Sequence, residues 1–122
     1  MKIAVWHNLN SGGGKRALYY HIEGLSKRGH KIISFCPDTV DQSYLLLSKN
    51  IEEKKFALKE KNKKLKNSIL KKTYSYNLIL ERLKLMLNHC RECAIVINNF
   101  GFDVLLANSS SDFYICLILE DL

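Results

Sequence analysis

The feature that most restricts the fold of this chain lies in its first 36 residues. An apolar run, Lys2-Ile3-Ala4-Val5-Trp6, breaks into the glycine-rich loop Ser11-Gly12-Gly13-Gly14, and a helical pattern follows over residues 15–28. Ala17, Leu18, Ile22 and Leu25 give that helix one apolar stripe, and Gly29 directly after Lys27 and Arg28 is a stop signal. A second apolar run, Lys31-Ile32-Ile33-Ser34-Phe35, comes next. Strand, helix and strand packed into so short a length form a βαβ unit, whose right-handed crossover makes the two strands parallel. The expected class is therefore α/β, a Rossmann-like parallel sheet flanked by helices.

The rest of the chain extends this pattern. Residues 43–48 followed by 54–58 read as two short strands, or as one strand with an irregular continuation. From about residue 68 to 89, Ile69, Leu70, Tyr74, Leu78, Leu83, Leu85 and Leu87 suit a long helix, with a break expected near residues 73–75. Its continuation through Cys90 and Ile97 is expected to end near Asn98 and Asn99, with Gly101 as the stop before a strand, Phe102-Asp103-Val104-Leu105-Leu106-Ala107. Asp112 is placed to cap a last helix over residues 113–122. That helix is too apolar for a free tail, so the domain is expected to be cut mid-fold.

The 122 residues suffice for a single domain, 1–122, and not for two Rossmann-type halves facing each other across a cleft. A composition of 47% hydrophobic and 25% charged residues with one proline excludes a disordered or collagen-like chain. No apolar run reaches the length of a spanning helix, and the opening residues resemble a strand and not a signal peptide, so a cytoplasmic protein is expected. Buried free thiols are then expected for Cys36, Cys90, Cys93 and Cys116. The net charge of +7 is concentrated in Lys54, Lys55, Lys59, Lys61, Lys63, Lys64, Lys66, Lys71 and Lys72, with Glu60 the single acid among them. Such a stretch is a solvated face or a contact for an anionic membrane surface. Nucleic acid is the weaker partner, because Phe56 is the only aromatic interleaved with the charge.

Between the first strand and the first helix, glycines let the backbone approach a ligand, while the free N–H groups and positive end of the helix favour a phosphate. The same glycines also serve a tight turn with no ligand. A P-loop is excluded, since Leu9 and Arg16 stand where it needs glycine and Ser or Thr. The dinucleotide fingerprint reads Gly12, Gly14 and Ala17, but Cys36 and Pro37 stand where it wants an acid. His21 falls on the helix stripe and is read as a core histidine. His7, at the carboxyl end of the first strand, is open to either a ligand or a structural role. His89, Cys90 and Cys93 lack a partner pair for a structural zinc site, so no metal and no cofactor are expected.

The opening through Lys31-Ile32, with Leu25-Ser26-Lys27-Arg28-Gly29-His30 as its x-x-L-x-x-R-G-H phrase, resembles the start of family 4 (group 1) glycosyltransferases of the GT-B fold. Phe102-Asp103-Val104-Leu105-Leu106-Ala107-Asn108 resembles the F-D-V-V-H-A-H strand of that family. The likeness covers residues 1–36 well and 101–112 moderately. It implies an N-terminal, acceptor-side half of an enzyme that transfers a sugar from a nucleotide-sugar donor, which is a substrate and not a cofactor, to a glycan or lipid acceptor. The donor-binding C-terminal domain, with its two glutamates, is absent from these residues. Gly12, Gly13 and Gly14 would then line the interdomain cleft and touch the donor diphosphate, with Lys15 assisting. The family's cleft histidine falls on Asn108, so the resemblance assigns no catalytic residue and offers Asn108 and Ser109 as polar cleft residues.

The implied setting is cytoplasmic, at the inner face of a membrane, and the fragment by itself is expected to be inactive. The main rival is a non-catalytic anion- or nucleotide-binding Rossmann-like module, or a truncated product. A third reading is a basic adaptor whose membrane or nucleic-acid binding is salt-sensitive.

Overall fold

The computed structural model describes residues 1–58, 68–109 and Ile118, and of residues 68–75 the backbone alone. Four strands are present: β1 (Lys2–His7), β2 (Lys31–Pro37), β3 (Glu52–Phe56) and β4 (Val104–Asn108), with helices α1 (Gly13–Lys27) and α2 (Ser68–Phe100) between them. The sheet order is β3-β2-β1-β4 and every pairing is parallel. The expected α/β class is what the chain adopts.

Period-two alternation divides the sheet into two faces. Ile3 and Val5 of β1 and Ile32 of β2 pack with Leu18 and Ile22 of α1 and with Leu47. Ala4 and Trp6 of β1 and Ile33 and Phe35 of β2 face the other way, onto Met86, Cys90, Cys93, Ala94 and Ile97 of α2. Both faces being covered explains why β1 and β2 are nearly continuous apolar runs. The chain moves from β1 through β2 to β3 in one direction and then returns across the sheet to β4, so α1 and α2 lie on opposite faces.

Helix α1 buries Lys15, Leu18 and Ile22, with Leu25 partly covered. This stripe is rotated from the one expected: Ala17 and His21 are exposed, so His21 is not a core histidine. Lys15, one turn before Leu18, is buried on the same face as Leu18 and Ile22 in place of Ala17 and His21. Gly29 ends the helix at φ +81, and its N–H donates to the Ser26 carbonyl at 2.9 Å. A Cβ there would meet nothing within 4 Å, so its cost is conformational alone. Gly29→Ala is expected to lower stability by about 1 kcal/mol in a urea titration.

Residues 43–48 form no strand; a short 3-10 turn (Leu47–Lys49) precedes β3, which begins at Glu52 instead of residue 54. Leu47 is buried against the α1 side, which accounts for the apolar character that suggested a strand. Helix α2 continues without the expected break and closes at Gly101, φ +61. Its buried residues begin at Met86 and recur at helical spacing through His89, Cys90, Cys93, Ala94 and Ile97, whereas Tyr76, Ile79 and Leu80 are exposed. Cys36, Cys90 and Cys93 are buried free thiols. Cys116, the capping Asp112, most of the last helix and much of the lysine-rich stretch lie outside the described residues. No helix among the described residues is long and apolar enough to cross a membrane.

Candidate functional site at the carboxyl edge of the sheet

Strand order fixes where an open α/β sheet binds ligands: outside the carboxyl ends, where successive connections leave in opposite directions. Here that point lies between β1 and β4, because β2 and β3 lie to one side of β1 and β4 to the other. His7 and Asn108 are paired in register at this edge, and the Asn8 N–H donates to the Asn108 carbonyl at 3.4 Å. The glycine loop follows β1, and Ser109 follows β4. Gly12, Gly13, Gly14, Asn108 and Ser109 therefore gather at one end of the molecule, with the three glycines exposed and Asn108 and Ser109 half-buried.

Gly12 occupies the cap position of α1 at φ +147, a conformation that side chains rarely adopt, and its carbonyl accepts from the Arg16 N–H at 3.0 Å. No side chain caps this end of α1, and its first turn holds no acid. The first-turn N–H groups, which no helix can satisfy internally, are directed outward with the positive end of the dipole.

Below the loop lies a polar cluster that sequence reasoning did not assemble. On the α1 face, the apolar Ile3, Val5 and Ile32 give way toward the carboxyl edge to His7, Ser34, Cys36 and Glu53. His7 Nε2 lies 3.4 Å from Glu53 Oε2, and both side chains are almost fully buried. Lys15 extends over this cluster at 2% exposure, its ammonium donating to the Asp41 carbonyl at 3.1 Å. The resemblance offered Lys15 as a helper beside the glycines; its burial makes it part of the floor beneath them. Burial opposes charge on Glu53, but the His7 hydrogen bond and charge, then Lys15 and Lys55, outweigh it and hold the carboxyl below its ordinary range. Burial pushes the Cys36 thiol up to about 12, with Glu53 adding to the rise and Lys15 and Lys55 opposing it.

The loop after β2 closes the other side. The Asp41 N–H donates to Asn10 Oδ1 at 3.3 Å, Ser43 donates to Asp41 through both backbone and hydroxyl, and Arg16 Nε donates to the Tyr44 hydroxyl at 3.2 Å. These Ser43 bonds are the chief reason the Asp41 carboxyl sits below its usual range. Among the described residues three buried polar atoms have no partner, His7 Nδ1, Ser34 Oγ and Gln42 Oε1.

The edge thus carries two chemistries. Exposed glycine N–H groups at a helix start suit an anion, and Lys15 supports it with charge from below. His7, Cys36 and Glu53 offer three ligand atoms within 4.8 Å of one another, which suits a cation. His89 and Cys93 touch at 3.6 Å across the sheet on the α2 side, but among the described residues they belong to no such group of three. His7 was singled out in the sequence as open to a ligand or a structural role, but Glu53 was missed because β3 was placed two residues late, which left Glu53 in a loop and His7 with no partner.

A scan of protein-family models, a search of curated proteins and a search of solved structures each return no match to this chain.

Proposed function

We propose that the chain is the acceptor-side, Rossmann-like half of a two-domain glycosyltransferase that uses a nucleotide-sugar donor. The observation that carries this reading is the placement of the uncapped glycine loop, Gly12, Gly13 and Gly14, beside Asn108 at the β1/β4 switch point. In such an enzyme the loop would meet the donor diphosphate across the interdomain cleft, and charge developing on the leaving diphosphate would be stabilised by backbone N–H groups and Lys15. The same arrangement explains why this half would need no nucleophile. The acceptor is a glycan or lipid, and the lysines between Lys54 and Lys72 would favour an anionic membrane surface by about 1 kcal/mol each where they reach it.

The test has two arms. Titration of the isotope-labelled chain with UDP, GDP and their sugar conjugates is expected to shift the amides of Gly12, Gly13, Gly14 and Asn108, with affinity in the millimolar range for half a site. The coding sequence downstream of Leu122, or a neighbouring gene, is expected to encode a second Rossmann-like domain with two spaced glutamates. Shifts without such a domain would leave a non-catalytic anion-binding module. Absence of shifts at the glycines would overturn the diphosphate seat itself.

A further inference from the structure

We propose that His7, Cys36 and Glu53 form a binding site for a divalent transition metal of borderline softness, Zn2+ in the first instance, at the carboxyl edge of the sheet. This inference is independent of glycosyl transfer and would hold equally for a non-catalytic module. Imidazole, thiolate and carboxylate are the three ligand types zinc takes, and three protein ligands with a fourth position left to water or a small anion is the pattern of its open sites.

Geometry supports the assignment. Bonds of about 2.0–2.3 Å set ligand atoms about 3.3–3.8 Å apart around a tetrahedral ion. The His7–Glu53 contact is already 3.4 Å, and all three atoms lie within 4.8 Å, so side-chain movements of about 1 Å close the site. The three residues come from adjacent parallel strands on one face, a rigid base for a preorganised ligand set.

A second observation points the same way. His7 is fully buried, yet its Nδ1 has no partner among the described residues and its Nε2 reaches only one contact at 3.4 Å. Ser34 Oγ, on the same face and in register with Glu53, is likewise buried without a partner. Buried polar atoms are almost always satisfied, so these two leave hydrogen-bonding capacity beside the three ligand-type residues for a further polar species such as a metal-bound water. Lys15 is held away from the site by the Asp41 carbonyl that its ammonium engages, and a dication bound to one thiolate and one carboxylate makes a neutral group, one unit more positive than the metal-free cluster with its Glu53 carboxylate. Binding forms the metal–sulfur bond as the Cys36 thiol releases its proton to solvent, with no change of oxidation state.

Titration of the metal-free, reduced 122-residue chain with Co2+ tests the assignment, because a cobalt–thiolate bond gives a charge-transfer absorption in the near ultraviolet. One equivalent is expected to produce that band, and Zn2+ is expected to displace it. Cys36→Ser should abolish the band, Glu53→Gln and His7→Gln should weaken binding at least about tenfold, and Cys90→Ser with Cys93→Ser should leave it intact. If Cys36→Ser fails to fold by circular dichroism, Glu53→Gln decides. A wild-type chain with no band, or a band that survives Glu53→Gln at full affinity and disappears with Cys93→Ser, overturns the site.

Discussion

Replacing Trp6 with alanine is expected to lower the unfolding free energy by about 3–5 kcal/mol, a large share of the about 5–15 kcal/mol that holds a domain of ordinary stability together. Trp6 is fully buried, in the middle of the sheet, and packs on the α2 face with Phe35, Cys90, Cys93 and Ile97. Its indole N–H donates to His89 Nε2 at 3.1 Å, so truncation removes the largest side chain of the core and leaves a buried acceptor unmatched. Trp6→Phe separates the two effects: most of the packing remains, and the lost hydrogen bond is expected to cost about 1–3 kcal/mol. Because Trp6 is the single tryptophan, urea unfolding is followed by circular dichroism, not by fluorescence. An alanine variant as stable as wild type would mean that the α2 layer does not form the core.

The βαβ unit was readable because local and long-range signals agree there. Apolar runs, glycines and a basic stop before Gly29 each point to the same element boundaries, and the structure matches them to within two residues. The long helix was readable for the same reason, since Met86 to Ile97 carry a helical stripe and Gly101 ends it. Beyond these, tertiary context decided. Lys15 is charged and sits at a helix start, which by itself describes an exposed residue; only the depth of the polar cluster and the Asp41 carbonyl make its burial tolerable. Glu53 lies in Glu52-Glu53-Lys54-Lys55, a composition poor in strand formers, and becomes a strand because β2 offers an open edge. The His7–Cys36–Glu53 cluster therefore depends on parallel register between three strands distant in sequence. No local pattern encodes that register, whereas the glycine loop is contiguous and could be placed at the sheet edge from sequence alone.

Acid is expected to destabilise the fold through His89 in a window where most proteins change little. His89 is buried against Trp6, Phe56 and Cys93, and desolvation lowers its pKa from 6.5 to about 4, with Asp38 opposing the fall. The folded state thus keeps His89 neutral while the unfolded chain takes up a proton below about 6.5, so the unfolded state binds more protons between the two values. Stability contributed by the neutral imidazole is complete above pH 6.5 and is lost as pH falls toward about 4, by about 3 kcal/mol across that range. Glu53, held below its ordinary value, adds a separate loss only at lower pH, as the carboxylate protonates below its unfolded pKa of 4.5. His89→Gln keeps an acceptor for the Trp6 N–H and cannot charge, so its urea midpoint is expected to be flat between pH 6.5 and 4.5, where the wild type falls. Equal slopes for the two proteins would show that His89 does not carry the linkage. Since protonated His89 can no longer accept from Trp6, whose neighbour in the chain is His7, acid should loosen the carboxyl end of β1 before global unfolding. Hydrogen exchange at the His7 and Asn8 amides reads that loosening directly, and a protection there that is independent of pH would confine the effect to α2.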